Sequence, residues 1–461
     1  MSRSCRASGS GDRAGTPGGL RSAATARQGF KASRPGDGAS ARWYRRSVSH
    51  EPTAGSAELH DGSSSLHSEP ELHDGRTSIQ RLVVSNYRSL GRDVTITLGP
   101  LTVLVGPNGS GKSNVVDALH FVADCMSMGL GGAINDRNGI ESCRRWNRSH
   151  GGHPYNVSFR LELMLPRGPA TYEFELTGSN VAEYCIKSER AVVHDGQEHV
   201  LSVNAGKLIT SPDGLVPAVD DQNLVLPLVG GDLRFRPLFQ ALRSIAVYSI
   251  YPDTLRRPHH YSATKPMAKH GDNWVSILKD QPESTWKMDL VAALNKLTGD
   301  IEDIEIKRAG GLLVIRFRRT IEKKSSTAGK WFEAYQESDG TLRVAGIITA
   351  LLQQPPVPVI AIEEPELTVH PGAIRLVADF LKQASRTSQV LVTTHSPELL
   401  DCVDASAIRV VTRSPERGTA VSHMGASQGE AVRRGLMSLG EVLRLEGFQT
   451  ELPLPTDAGE D

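Results

Sequence analysis

Residues 106–113 read Gly-Pro-Asn-Gly-Ser-Gly-Lys-Ser and match the pattern G-x-x-x-x-G-K-[ST]. A run of this kind can wrap a chain of phosphates. Gly106, Gly109 and Gly111 let the main chain fold around an anion with its N–H groups pointing inward, with Pro107, Asn108 and Ser110 between them. Lys112 brings a cation within reach of β- and γ-phosphates, and the Ser113 hydroxyl is a ligand for Mg²⁺. The candidate nucleotide-binding segment therefore runs from Gly106 through Ser113.

Three further groups carry chemistry. Val359-Ile360-Ala361-Ile362 is an apolar run that ends in Glu363-Glu364, so a buried strand would deliver two carboxylates at its C-terminal end. Glu363 is the candidate metal ligand and Glu364 the group that polarises an attacking water. Thr394-His395-Ser396 follows a second apolar run, and His395 is placed to hydrogen-bond a γ-phosphate. Ser338-Asp339-Gly340-Thr341 opens a helix; it is an ordinary cap, and its N–H groups are also an anion site that could serve a nucleotide held by another protomer.

These groups need a scaffold that aims them at one place. Leu101–Val105 is a short, mostly apolar strand directly before the glycine loop, and Val115, Val116, Leu119 and Val122 recur with helical spacing after it. From Thr341 to Gln354 the pattern is helical until Pro355 and Pro356 stop it. Strand Val357–Ile362, helix Pro371–Ser385, strand Gln389–Thr393, a helix from Pro397 and strand Ile408–Thr412 then alternate, which predicts a mainly parallel α/β sheet. Ile79–Asn86 and Val94–Leu98 read as a hairpin, and Asn156–Leu165, Thr171–Leu176, Ala191–His194 and Ile245–Ser249 as further strands. Residues 273–297 read as helix and Ile301–Thr320 as more strand. The expected domains are a disordered, low-complexity tail over 1–77, an ATPase body over 78–415 with a β/helical insertion at about 155–335, and a partly disordered extension over 416–461. The tail contains nine arginines in its first 50 residues, repeats Glu-Leu-His-Asp-Gly at 58–62 and 71–75, and lacks a core-forming pattern.

The set of motifs resembles the RecF/SMC/OLD-like branch of ABC-type ATPases, often grouped with predicted AAA-family ATPases. Residues 106–114 resemble the Walker A loop of that branch, Glu363-Glu364-Pro365-Glu366 followed by His370-Pro371 its Walker B, and Ser338-Asp339-Gly340-Thr341-Leu342-Arg343 its signature motif. Thr393-Thr394-His395-Ser396 resembles its switch histidine and Asn86-Tyr87-Arg88-Ser89-Leu90 the motif ending its first strand. The resemblance implies a P-loop fold with an antiparallel β subdomain, ATP and Mg²⁺ as ligands, and a homodimer. In it, two ATPs lie between one protomer's Walker A loop and the other's signature motif. It further implies DNA repair or genome defence as the setting, with nucleic acid or a protein as client. The chain departs from the pattern where Glu363 replaces the usual Asp, and no Q-loop glutamine stands out. Heptad arms are absent from the 250 residues between Ser113 and Glu363, and the 66 residues after His395 are too few for a Toprim nuclease domain.

Composition sets the outer bounds. Lys+Arg and Asp+Glu are both 52, so a generally basic nucleic-acid coat is excluded while a local patch is not. Arg316 and Arg318 share a strand face and, with Arg319, Lys323 and Lys324, make such a patch, read here as a solvated hairpin face. His259-His260, His150 and His153 lack a completing ligand set. Asn295-Lys296 is not followed by a base-reading aspartate, which favours ATP over GTP. No run approaches the ~18 apolar residues of a membrane span, and five scattered cysteines suit a reduced, cytoplasmic setting. The expected function is ATP hydrolysis. An ATP-gated binding module with negligible turnover is the alternative, and a transporter motor is the less favoured third.

Overall fold

The computed structural model describes residues 75–145, 156–320, 329–445 and 447–450. The expected tail up to residue 74, His150, His153, Lys323, Lys324 and residues 451–461 lie outside the described residues. No helix among the described residues is long and apolar enough to cross a membrane.

The chain opens with a hairpin, β1 (Ser78–Ser85) and β2 (Val94–Thr97), followed by β3 (Leu101–Val105). The glycine loop and the helix Lys112–Asn135 come next, the helix kinked at Gly129. Five strands then run back and forth: β4 (Val157–Leu165), β5 (Gly168–Thr177), β6 (Cys185–His194), β7 (Glu198–Asn204) and β8 (Lys207–Thr210). After the helices Val225–Leu228 and Arg236–Arg243 comes the short β9 (Ala246–Tyr248). A second lobe holds β10 (His259–His260), the helices Trp274–Asp280 and Glu283–Thr298, and the strands β11 (Ile301–Ala309), β12 (Leu312–Arg319) and β13 (Lys330–Glu333). The helix Asp339–Leu351 leads to β14 (Val359–Glu363), the helix Pro371–Ala384 to β15 (Gln389–Thr393), and the chain returns through β16 (Ile408–Ser414) and β17 (Gly418–His423).

Three sheets result. The central one has the order β17-β16-β3-β15-β14-β9 and is parallel except for β17. Its inner strands are continuous apolar runs because both faces are covered. Alternate residues serve opposite cores: Leu104, Val359, Ala361, Leu391 and Val411 face one, and Val103, Val105, Ile360, Ile362, Val390 and Val392 the other. The first core is closed by the antiparallel sheet β2-β1-β4-β5-β6-β7-β8. In β4 the residues alternate between the core and the more accessible face, the period-two pattern of a strand covered on one side. An aromatic cluster fastens this sheet to the helix Lys112–Asn135: Phe121 stacks on Phe159 with centroids 5.2 Å apart, and Phe159 on Phe174 at 5.0 Å. The third sheet, β10-β12-β11 with β13 also on β12, sits in the second lobe.

Several boundaries differ from the sequence expectations. The stretch 155–335 is two insertions rather than one, because β9 returns to the central sheet and pairs with β14 between them. Only three residues long, β9 has too few positions to show a period. The central sheet also runs past residue 415, since β17 pairs along β16 from Arg409↔His423 to Ser414↔Gly418. The helix expected over 273–297 is two, divided at Pro282, whose ring lacks the N–H a continuous helix needs. The helix expected from Thr341 starts at Asp339, where Ser338 caps it, and ends at Leu351. Gln353 bonds instead to the Met267 N–H and the Tyr248 hydroxyl.

One buried side chain ties the two large sheets together. Gln389, at the start of β15, accepts from the Ile79 N–H at 2.8 Å and donates to the carbonyls of Ile79 (2.8 Å), Leu98 (3.3 Å) and Gly99 (3.2 Å). Gln389→Ala leaves these groups buried without a partner and is expected to cost about 2–4 kcal/mol. The exposed Gln383→Ala should cost less than about 0.5 kcal/mol. Thermal melts of both variants check this; equal melting temperatures would show that Gln389 does not join the sheets.

Candidate nucleotide site

The glycine loop turns at the C-terminal end of β3, where parallel α/β sheets gather their functional groups. Two of its glycines are required by geometry. A Cβ on Gly106 would lie 2.2 Å from the Val411 carbonyl oxygen. Gly111 has φ +107° and a Cβ there would meet Thr419 Oγ1 at 2.3 Å. The loop is held from outside as well: Thr419 Oγ1 donates to the Ser110 carbonyl at 2.6 Å, and Arg413 Nη1 to the Gly109 carbonyl at 3.3 Å.

Lys112 is buried, and its Nζ donates to the carbonyls of Gly106 (2.9 Å) and Pro107 (3.2 Å). The same Nζ lies 2.6 Å from His395 Nε2. Burial pulls the lysine below its usual range, against the opposing pull of Glu364 and Glu366. Burial, then the Lys112 charge, holds the His395 imidazole below its ordinary value. The ring is therefore neutral near pH 7, and Nε2 is the acceptor of the lysine proton. Asn108, Glu364 and His395 line one cleft of about 490 Å³.

The carboxylates come from the next strand but one. β14 pairs with β15, which pairs with β3, so Glu363 stands level with Thr393. Burial raises the Glu363 pKa, opposed by a hydrogen bond from the Ser113 hydroxyl. Glu363 and Ser113 thus meet, and both offer the hard oxygen ligands that Mg²⁺ prefers. Among the described residues no group of three or more His, Cys, Asp or Glu forms a self-sufficient metal site. A metal here would need phosphate oxygens to complete its shell.

Glu364 has φ +44°, a left-handed backbone that is uncommon outside glycine. Three bonds hold it there. Its N–H donates to Thr393 O (3.0 Å) and Oγ1 (3.1 Å), and its carbonyl accepts from Arg343 Nη2 at 2.9 Å. The turn aims the carboxylate at the cleft, with Oε1 3.9 Å from His395 Nε2.

Two positioning residues were not assigned roles from the sequence. Glu366 Oε1 accepts from the Thr394 hydroxyl (2.7 Å) and the His395 N–H (2.8 Å), so it sets the path of the chain at His395. Arg343 Nη1 donates to the Ile250 carbonyl at 2.7 Å while Nη2 holds Glu364. Both were visible as letters within quoted motifs, but no spacing rule separates a positioning carboxylate from a solvated one.

The segment Ser338–Thr341 does not line the cleft of Asn108, Glu364 and His395. Ser338 Oγ caps its helix through the Thr341 N–H at 3.2 Å, and a Cβ on Gly340 would lie 2.8 Å from the Thr368 carbonyl. Asn86-Tyr87-Arg88-Ser89-Leu90 does reach the loop's helix. The Tyr87 hydroxyl donates to Asp117 at 2.5 Å, Arg88 pairs with Asp117 at 2.8 Å, and Asn114 Nδ2 donates to Ser89 Oγ at 2.6 Å.

The weaker candidates have structural partners. Arg316 pairs with Glu305 at 2.7 Å and stacks on Trp331, and Arg319 is shared between Asp300 and Glu337. His259 Nε2 lies 3.4 Å from the Ser276 hydroxyl.

Comparison with known proteins agrees with this layout. Residues 78–129 match the model "RecF/RecN/SMC N terminal domain", and residues 218–401 match "AAA domain, putative AbiEii toxin, Type IV TA system". The first spans β1 to the loop's helix; the second contains Ser338, Glu363, Glu364 and His395. The OLD nuclease of Thermus scotoductus is 22% identical over 370 residues, covering 75% of this chain and 64% of its own length. The chromosome partition protein Smc of a Synechococcus species is 33% identical over 126 residues, 26% of this chain and 10% of its own. The chain thus spans less than two thirds of the length of these relatives. The solved Smc head bound to the C-terminal winged-helix domain of ScpA covers 76% of this chain and 99% of its own at 15% identity, with a TM-score of 0.49. Motif order, a parallel sheet with the loop at its C-terminal edge, and the two family models together support a likeness to the RecF/SMC/OLD-like ABC-type P-loop ATPases.

Proposed function

We propose that the chain binds Mg·ATP on Gly106–Asn114, hydrolyses it, and closes with a second copy over two nucleotides. One observation carries the catalytic part: Lys112, Glu364 and His395 converge from three elements, with Lys112 and Glu364 2.6 Å and 3.9 Å from the same His395 nitrogen. The loop amides and the Lys112 ammonium bind the phosphates, and Glu364 orients a water and takes its proton as the water oxygen attacks the γ-phosphorus. The bond from the γ-phosphorus to the bridging oxygen breaks, and ADP leaves with that electron pair. Neutral His395 hydrogen-bonds in the same cleft, held in register by Glu366. Ser113 and Glu363 would hold Mg²⁺, which when bound would supply neutralisation of phosphate charge.

The names of the relatives, a nuclease and a chromosome partition protein, support work on DNA as the output, in repair or genome defence. Glu363 in place of aspartate favours one other reading, an ATP-gated module with negligible turnover. Steady-state phosphate release separates the two.

Lys112→Ala removes the cation facing the phosphates and is expected to weaken binding of a fluorescent ATP analogue by about 10- to 100-fold. Binding at wild-type strength would refute the loop's role.

Glu364→Gln is expected to bind ATP, stall before hydrolysis and accumulate as a dimer, because the neutral amide neither takes a proton nor repels the γ-phosphate. Ser338→Arg should retain ATP binding but fail to dimerise. The double variant should behave as Ser338→Arg alone. Size-exclusion chromatography with light scattering, with and without Mg·ATP, reads all three. A monomeric Glu364→Gln at saturating ATP, or normal hydrolysis by Ser338→Arg, would end the two-copy mechanism.

A further inference from the structure

The segment proposed to meet a partner's nucleotide contains a charge conflict. Glu337 and Asp339 flank Ser338, so two carboxylates stand beside the serine that a phosphate must approach. Glu337 is accounted for within the fold: its side chain is 1% exposed and clamped by Arg319, which also holds both oxygens of Asp300 at 2.8 and 2.7 Å. Asp339 is different. It lies in the first turn of its helix with its side chain 54% exposed, where it would repel an arriving phosphate.

Arg256 stands against Asp339. It directly follows the short helix Pro252–Leu255, and its Nη2 bonds the Asp339 carboxylate and donates to the Glu337 carbonyl at 3.2 Å. Its Nη1 takes Asp253 at 2.7 Å, but Asp253 is 83% exposed and its charge is largely screened by water. The segment carrying Arg256 is fixed to the signature helix. Arg343 donates to the Ile250 carbonyl, and a Cβ on Gly346 would lie 2.8 Å from Leu255 and 2.9 Å from Ile250. The two elements pack so closely at Gly346 that no side chain fits between them. Arg256 thus meets Asp339 across two elements that pack directly on each other.

We propose that Arg256 is a positioning residue of the two-copy nucleotide site: it neutralises Asp339 and steadies the first helical turn so that a phosphate carried by a second copy can approach Ser338. This role rests on the two-copy closure proposed above. Because the pair is partly exposed, it adds little to folding.

The test uses the full chain in the Glu364→Gln background. Arg256→Ala is expected to weaken the Mg·ATP-dependent dimer about tenfold, as read by light scattering over a range of protein concentrations. Binding of the fluorescent ATP analogue to the single protomer should stay within about twofold, and the melting temperature should be nearly unchanged. Adding Asp339→Asn to Arg256→Ala should return the dimer to within about threefold of the parent, because the carboxylate that needed neutralising is gone. A side chain with a merely structural role would not be rescued by deleting the charge opposite it. Unaltered dimerisation of Arg256→Ala, or no rescue by Asp339→Asn, overturns the role of Arg256 and leaves the two-copy closure standing. A Glu364→Gln parent that never dimerises overturns both.

Discussion

A buried lysine ammonium must be surrounded by acceptors or anions, and the rest of the site is organised around that requirement. Lys112 meets it with two loop carbonyls and a neutral imidazole. Each acceptor sets a condition elsewhere. The carbonyls of Gly106 and Pro107 can turn toward Nζ only if the loop closes tightly, and it closes against Val411 and Thr419 with no room for a Cβ. His395 can accept only while neutral, and burial together with the Lys112 charge keeps it so. Its backbone is fixed by Glu366, which lies beyond the end of β14. One cation thereby couples the ends of β3, β14 and β15.

The same economy governs Glu364. A left-handed backbone at a non-glycine residue costs of order 1 kcal/mol or more, and it persists only where neighbours over-determine it. Thr393 supplies two acceptors and Arg343 one donor. Arg343 sits on the helix Asp339–Leu351, so the conformation of the candidate catalytic carboxylate is tied to that helix. This is a direct mechanical link between the two ends of the proposed cycle within one chain.

Much of this was legible in the sequence because the signals were local. The glycine loop, the apolar run before it and the helical spacing after it lie within about 20 residues, and the structure places them as read. The central strands were legible because burial on both faces leaves a continuous apolar run. What escaped was long-range or too short to have a period. β9 contributes three residues to the sheet, and nothing in Ala246–Tyr248 distinguishes an edge of the central sheet from a strand of an insertion. The Gln389 bonds reach across 310 residues to Ile79. The roles of Glu366 and Arg343 are geometric: both are charged residues in quoted motifs, and only the folded chain shows which atoms they touch. The basic hairpin face lost its interest once paired: Glu305 stands directly across the strands from Arg316, and Arg319 is held by Asp300 and Glu337, each fewer than 20 residues away.

The separation of the two motif groups is itself informative. Asn108, Glu364 and His395 share a cleft, with Lys112 bonded to His395 beside it, whereas Ser338–Thr341 does not border it. The signature helix has little freedom to swing across. It is anchored through Arg343 to Glu364 and Ile250, crowded at Gly346 by Ile250 and Leu255, and crowded at Gly340 by the Thr368 carbonyl. Moving Ser338 onto the chain's own loop would break those contacts, including the one that holds Glu364 in place. That arrangement supports the proposed closure, in which the phosphate that meets Ser338 is carried by a second copy.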